Sequence, residues 1–526
     1  MTNPDFKDIV IETTLPKPWE EEETFNDVLY DWMSRAPWLA ISAAAHLVIY
    51  LIVAAIPWSL FATPEETIIE ASVQAPEEVI EDPPEEEIEE IEEEEVIEEP
   101  IIQDFEISDH NETDTDQEFE TTDGDPDMFS DSPFDDTNFN DVIGIGGGAG
   151  GKFGGRMGGR RNLRAAGGSG TEQALKDGLE WLRKHQSEDG YWNAKDFPSD
   201  NIDTESGSCE CDGPGFANHD VGLTGLALLA FLGDGNTMKR GPYKNVVING
   251  VKWLREQQDF ETGQIGTRTG HDWIYNHSIA TLALCEVYYF DKSPLLKPVV
   301  QRAVDFISTA RNPYGAWRYD VPPIGDNDTS ITGWMIFALT SAKEGGLKVP
   351  EDALAGAMTW IDDASDQANG RVGYNDVGTP SSRSPGLNID FPREGDESMT
   401  AVGLLCRFFL GEDPDDQPLM EKHADLMLES LPEHYDGDDD RKNTNFMYYW
   451  YYGSYAMYQM GGKYWTAWNK AMKEAVLDSQ RKDGHLLGSW DPDGPWGHAG
   501  GRVYSTATMV LCLEVYFRYA KVLGAR

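Results

Sequence analysis

Residues 221–233 read VGLTGLALLAFLG and residues 277–290 read HSIATLALCEVYYF. Each is apolar on nearly every face of a helix, as a helix enclosed on all sides must be. The pattern returns as TSITGWMIFALTSA (329–342), ESMTAVGLLCRFFLG (397–411), MYYWYYGSYAMYQMG (447–461) and YSTATMVLCLEVYFRY (504–519). Stretches with one polar face alternate with these, among them TEQALKDGLEWLRKHQ (171–186), NVVINGVKWLREQQ (245–258), PVVQRAVDFISTAR (298–311) and ALAGAMTWIDDAS (353–365). Equivalent positions fall at Thr224, Ala280, Thr332, Thr400, Tyr452 and Thr506, at intervals of 56, 52, 68, 52 and 54 residues. A period of roughly fifty residues with two helices per unit marks an α-helical array. Six such hairpins, one helix of each apolar all round, predict an all-α (α/α)6 toroid over residues 171–526 with the apolar helices inside.

The links between paired helices carry a second pattern. HQSEDGYW (185–192) and the looser QRKDGHLLGSW (480–490) place a Gln ahead of a Gly and a Trp. The Gly supplies a tight turn and the Trp packs back on the outer helix. These stretches resemble the Q-x(n)-G-x-W repeat of the squalene cyclase and prenyltransferase β-subunit superfamily. TGLALLAFLG, HSIATLALCE and DTSITGW also resemble the membrane-anchored bacterial proteins with prenyltransferase/squalene oxidase repeats. The resemblance covers about the last two-thirds of the chain and implies a terpenoid cyclase-like toroid. It leaves the chemistry open, because that superfamily spans cyclases, zinc prenyltransferases and thioester domains.

The chain ahead of the repeats is of another kind. Of its formal charge of −53, the span 65–141 supplies 33 acidic residues, and no Lys or Arg lies between Arg35 and Lys152. So negative a field repels nucleic acid, and residues 63–143 read as a disordered acidic linker with too little apolar area to offset chain entropy. Residues 144–170 read as a Gly/Arg-rich hinge. Gly146, Gly151 and Lys152 stand at phosphate-loop spacing, but Phe153 occupies the place of the metal-binding hydroxyl and no strand precedes it, so a nucleotide site is not expected. Residues 37–62 carry no charged side chain and suffice for one transmembrane helix, with Trp38 and Trp58 near its ends. Lys7, Lys17 and Arg35 precede it, which places the short segment 1–36 in the cytoplasm and the toroid outside.

Long connections lead into the apolar helices, so the rim at their N-termini is the expected working face. Four residues before the equivalent positions stand Asp220, Asn276, Asp328 and Asp396, a register that N-capping would demand. The cyclases of the superfamily protonate their substrate with D-x-D-D-T-A. Laid on IGDNDTSITGW (324–334), that motif puts Asp328 on its last Asp and Asn327 on the proton donor, and an amide cannot protonate an alkene. Capping is therefore the favoured reading, with Asp328, Asp326, Asp220 and Asp396 the acids to test for catalysis. The superfamily's zinc enzymes use an Asp-x-Cys pair, which is absent. Cys209, Cys211 and His219 form instead a set that could hold zinc, with a local disulfide the alternative. Cys285, Cys406 and Cys512 read as small buried hydrophobes. Trp334, His277, Tyr449 and Trp450 are the expected lining of a cavity for a lipid or isoprenoid-like ligand. A non-catalytic scaffold for another envelope protein and a carbohydrate-active toroid are the rivals. A dry lumen, a plugged lumen, or an open groove with facing carboxylates would distinguish the three.

Overall fold

The computed structural model describes residues 46–47, 168–201, 208–271, 273–313, 315–435 and 445–519. The expected cytoplasmic segment, acidic linker and nearly all of the hinge lie outside them, and so does the expected membrane span apart from His46 and Leu47. Among the described residues no helix is long and apolar enough to cross a membrane.

Among the described residues, twelve helices of ten residues or more account for the array. They are α1 (Glu172–Lys184), α2 (Asp220–Gly233), α3 (Lys244–Glu256), α4 (Trp273–Asp291), α5 (Lys297–Thr309) and α6 (Thr329–Glu344). There follow α7 (Glu351–Asp363), α8 (Ser398–Phe409), α9 (Leu419–Leu428), α10 (Met447–Met460), α11 (Gly462–Ser479) and α12 (Gly497–Leu513), with a single turn, α13 (Val515–Arg518), at the end. The even-numbered helices pack each on the next, and α12 packs on α2. Each odd-numbered helix leans on the even one before it, so that α1 lies against α12. The ring of six hairpins is closed, as the repeat predicts. The even helices are buried all round, Val221 through Gly233 without a break in α2, whereas the odd ones bury one stripe such as Leu175, Leu179 and Leu182.

The turn motif explains how neighbouring repeats are held. The indole N–H groups of Trp192, Trp317 and Trp490 donate back to Leu182, Ile307 and Val476 carbonyls at 2.8 Å. The backbone N–H at the same turn position donates to a Thr Oγ1 of the following inner helix: Trp192 to Thr224, Trp317 to Thr332, Val372 to Thr400 and Trp490 to Thr506, at 3.1–3.4 Å. In the second repeat Ala280 has no hydroxyl, and Ile265 N donates instead to His277 Nδ1 at 3.0 Å. The Gln side chains cross between repeats: Gln186 donates to Val246 O, Gln258 to Val299 O and Gln480 to Ala174 O. That last bond joins the end of the array to its beginning. Beside it Gly488 has φ 91°, and a Cβ there would stand 2.2 Å from Asp177 O.

At the C-terminal end of the inner helices the lumen is filled. Arg518 donates to Leu229 O in α2, Glu286 in α4 and Glu514, at 2.6–2.9 Å, and Tyr519 OH donates to Glu286 at 3.0 Å. Tyr519 also meets Phe409 of α8 and Tyr455 of α10. Side chains that touch α2, α4, α8 and α10 at once sit within the ring. The cluster is wholly buried, one guanidinium shared by two carboxylates, a pairing without which burial of the charges would be prohibitive.

Candidate functional site

Above that filled end, the lumen is open where the inner helices begin. There a cavity of about 500 Å³ draws lining from all six: Leu223 and Leu226, Tyr275 and Ile279, Ser330 and Trp334, Ser398 and Met399, Tyr448, and Gly500 and Tyr504. Its size falls within the range of roughly 300–1,000 Å³ common for small-molecule sites. Further lining, mostly polar, comes from the long connection into α8, residues 381–385, with Asp396. Arg383 fastens that connection, donating to Phe391 O at 3.1 Å and pairing with Asp396 at 2.6 Å, both side chains under 4% exposed. Arg393 donates to Ser381 O at 2.6 Å and ties the same segment down. The cavity thus combines apolar and aromatic side chains of the inner helices with polar groups of this connection.

The four acids expected here behave differently. Asp328 caps α6: its Oδ1 accepts from Ser330 N at 2.8 Å and Ile331 N at 3.2 Å. Its Oδ2 accepts from Tyr319 OH at 2.8 Å, and that hydroxyl lies 2.5 Å from Tyr374 OH. The two tyrosines line the cavity and the carboxyl stands behind them, fully buried. Burial raises its pKa above the usual carboxylate range, against the opposing pull of its hydrogen bonds. Asp396 takes the equivalent place in α8, accepting from Ser398 N at 2.8 Å, but does reach the cavity. Asp220 instead accepts from the loop amide of Ala194 at 2.8 Å, and burial pushes its carboxyl up to about 6. Asn276, fourth in that register, accepts from Gly222 N of the neighbouring α2 at 3.1 Å. Asp326 is 61% exposed and paired with Arg318, apart from the cavity lining.

Of the expected cavity residues only Trp334 is in the lining. His277 is buried in the wall, accepting from Ile265 N and donating through Nε2 to Ala303 O at 3.2 Å, and burial pulls it down to about 3. Its chemistry is spent on holding the turn. Tyr449 faces outward against Trp468 of α11, and Trp450 is likewise core. The lining residue of α10 is Tyr448, on a stripe with Tyr452, which packs on Trp334 and Phe337. The sequence signal was the four- and three-residue spacing of Tyr448, Tyr452 and Tyr455.

The cysteine set is also re-drawn. His219 lines the cavity and stacks on Phe216, away from both thiols. His185, at the end of α1, takes its place: His185, Cys209 and Cys211 hold their ligating atoms within 4.8 Å of one another and could hold a metal. The loop from Ser208 folds back along the end of α1, with Cys209 N bonded to Pro198 O, before crossing to α2. His185 is stacked on Trp181 at 4.0 Å and burial pulls it down to about 4, which leaves the imidazole neutral. All five cysteines are free thiols, and Cys285, Cys406 and Cys512 are buried as expected.

No family model matches the chain. It is 28% identical over 200 residues to squalene–hopene cyclase of Bradyrhizobium diazoefficiens, a match covering 35% of this chain and 28% of that relative's length. Among solved structures it is similar to cellobiose 2-epimerase from Bacillus thermoamylovorans, at 12% identity and a TM-score of 0.45, over 65% of this chain and 98% of that one. It is also similar to a type II terpene cyclase from Scytonema in complex with geranylgeranyl dihydroxybenzoate, at 14% identity and a TM-score of 0.41, over 68% and 98% of the two chains. On the sequence similarity to the hopene cyclase, the chain is squalene cyclase-like.

Proposed function

We propose that the toroid binds a ligand with an apolar, isoprenoid-type chain and a polar head, and that residues 37–62 anchor it to a membrane with the toroid outside the cytoplasm. The observation that carries the reading is the mixed lining of one cavity: Leu223, Leu226, Ile279 and Trp334 together with the Arg383–Asp396 pair. Similarity to a squalene–hopene cyclase supports the same ligand class. Binding is favoured over turnover. Asp396 is neutralised by Arg383, and Asp328 stands behind Tyr319 and Tyr374, so neither presents a bare acid to the cavity. The filled lower lumen also leaves room for a ligand at the mouth and not for one threaded through the ring.

Native mass spectrometry of the detergent-solubilised full chain with geranylgeraniol tests this. Retention of the polyprenol, and its loss in Ile279→Glu, which sets an unpaired carboxylate in the apolar lining, is the expected result. Retention of an oligosaccharide with no retention of the polyprenol would replace this reading with the carbohydrate one.

A further inference from the structure

His185, Cys209 and Cys211 lie outside the mouth cavity and bear on none of the binding argued above. Their geometry is that of a preformed ligand set. His185 Nδ1 lies 2.7 Å from Trp181 O and donates to it, which turns the Nε2 lone pair toward the sulfurs. A histidine held through its other nitrogen by a carbonyl is the usual support of a metal-bound imidazole. Nε2 is 3.3 Å from Cys209 Sγ and 3.5 Å from Cys211 Sγ. Tetrahedral bonds of about 2.3 Å to sulfur and about 2.0 Å to nitrogen would separate N and S by roughly 3.5 Å. The Asn201 Nδ2 lies 3.4 Å from the same Nε2 and can only donate to it, a contact that a bound ion would displace, leaving the fourth place to a water.

The location gives the cluster a role. Cys211 Sγ reaches His485 O at 3.4 Å, and Trp181 Nε1 donates to that carbonyl at 3.1 Å. The next residues of the cysteine loop are tied to α12: Arg502 N donates to Gly213 O at 2.8 Å, Arg502 Nε to Asp212 O at 2.9 Å, and Phe216 N to Ala499 O at 2.8 Å. The cysteine loop therefore lies across the joint between the first and last repeats.

We propose that His185, Cys209 and Cys211 bind a zinc ion, with a water in the fourth place, and that the ion staples the closing joint of the ring. Both thiols lose their protons to solvent on binding, so that two thiolates balance the charge of the ion. A soft, tetrahedral sulfur and nitrogen set selects zinc over magnesium or calcium.

The test uses the full chain, purified reduced and metal-free, and titrated with cobalt(II) as the spectroscopic probe. One equivalent should bind, with the sulfur-to-cobalt charge-transfer band and intense visible bands of a tetrahedral thiolate site, and zinc should displace it. Zinc should raise the melting temperature and EDTA should reverse the rise. Cys209→Ala, at a half-buried position that tolerates a small side chain, and Cys211→Ser should abolish the bands, and His185→Gln should weaken binding at least tenfold. His219→Ala should bind as the parent does. Circular dichroism identifies a variant that has failed to fold, and Cys209→Ala then carries the result. Reduced protein that gives no cobalt bands overturns the site, as does a Cys209–Cys211 disulfide that forms in preference to metal binding. Metal binding that survives Cys209→Ala but not His219→Ala also overturns it. Binding with no shift in melting temperature overturns the staple.

Discussion

Replacing Asp328 separates the shape of its carboxyl from its charge. In Asp328→Ala the helix loses its cap, because the buried amides of Ser330 and Ile331 lose their acceptor; the usual cost of ~1 kcal/mol rises toward roughly 3 kcal/mol where the donors stay buried. The hydroxyls fare better, because Tyr319 keeps Tyr374 and Ser330 keeps Tyr275. The expected loss is about 1–3 kcal/mol. In Asp328→Asn the Oδ1 cap survives, and the new amide can donate to Tyr319, whose own hydroxyl then donates to Tyr374. Charge works in the same direction. The folded-state pKa of Asp328 is raised by burial above its unfolded value, so its stabilising contribution is complete at low pH and is lost as pH rises through the folded value. An Asn, unable to ionise, should therefore leave the protein at least as stable as the parent at neutral pH, and the difference should vanish on acidification. Urea unfolding of the full chain and both variants, at acidic and at neutral pH, measures this. Should Asn cost as much as Ala at neutral pH, the ionised carboxylate itself holds α6 and the capping account fails.

Gly488→Ala should destabilise strongly, since it combines a positive φ with a clash on Asp177 O; Gly346→Ala, with φ 77° and open space around it, should lose only about 1–2 kcal/mol by thermal melting. Asp220→Asn should flatten the pH dependence of stability between about 4 and about 6, because a carboxyl raised from 3.8 to about 6 by burial supports the fold below that window and ceases to above it; an unchanged profile would refute the assignment. His277→Ala should cost roughly 1–3 kcal/mol by leaving the Ile265 amide without its acceptor, with no change in ligand binding. A reporter enzyme fused at Gly170 should be active only outside the cytoplasm, and cytoplasmic activity would reverse the proposed topology.

The ring was legible because helices buried on all sides and helices with one polar face leave different composition, and that contrast recurs six times. The Thr register was legible too, but its use was not. A backbone amide reaches Thr224, Thr332, Thr400 and Thr506 from a turn fifteen to thirty-two residues away, depending on the repeat. The Asp/Asn register four residues earlier split because the helices do not all begin at the same place in the repeat. α4 begins at Trp273, so Asn276 is already inside it, and the 3-10 turn Ala217–His219 brings Asp220 into helical conformation before it can cap. On α10 aromatic residues cover several faces, and a one-residue error in phase turns a side chain by roughly 100°. Tyr449 and Trp450 were expected where Tyr448 lies. His185 is not legible as a partner of the cysteines because it belongs to the preceding turn, and only the backward fold of the cysteine loop brings it to Cys209 and Cys211.

The bond from Gln480 to Ala174, with Gly488 seated on Asp177, has a consequence for how such a chain can change. An open solenoid lengthens or shortens by whole units, since each new unit needs only one neighbour. A closed circle has no terminus at which to add. Removing one unit would force every remaining wedge to widen, and α12 would no longer meet α2 and α1. Novelty must therefore enter between the units. The 68-residue interval ahead of α8, where the others run from 52 to 56, is where this chain has taken it, and those additional residues carry Ser381 to Pro385 into the lining of the cavity. Unit number is fixed by geometry while the segments at the mouth are free to diversify, so relatives with other ligands should differ from this chain in those segments first.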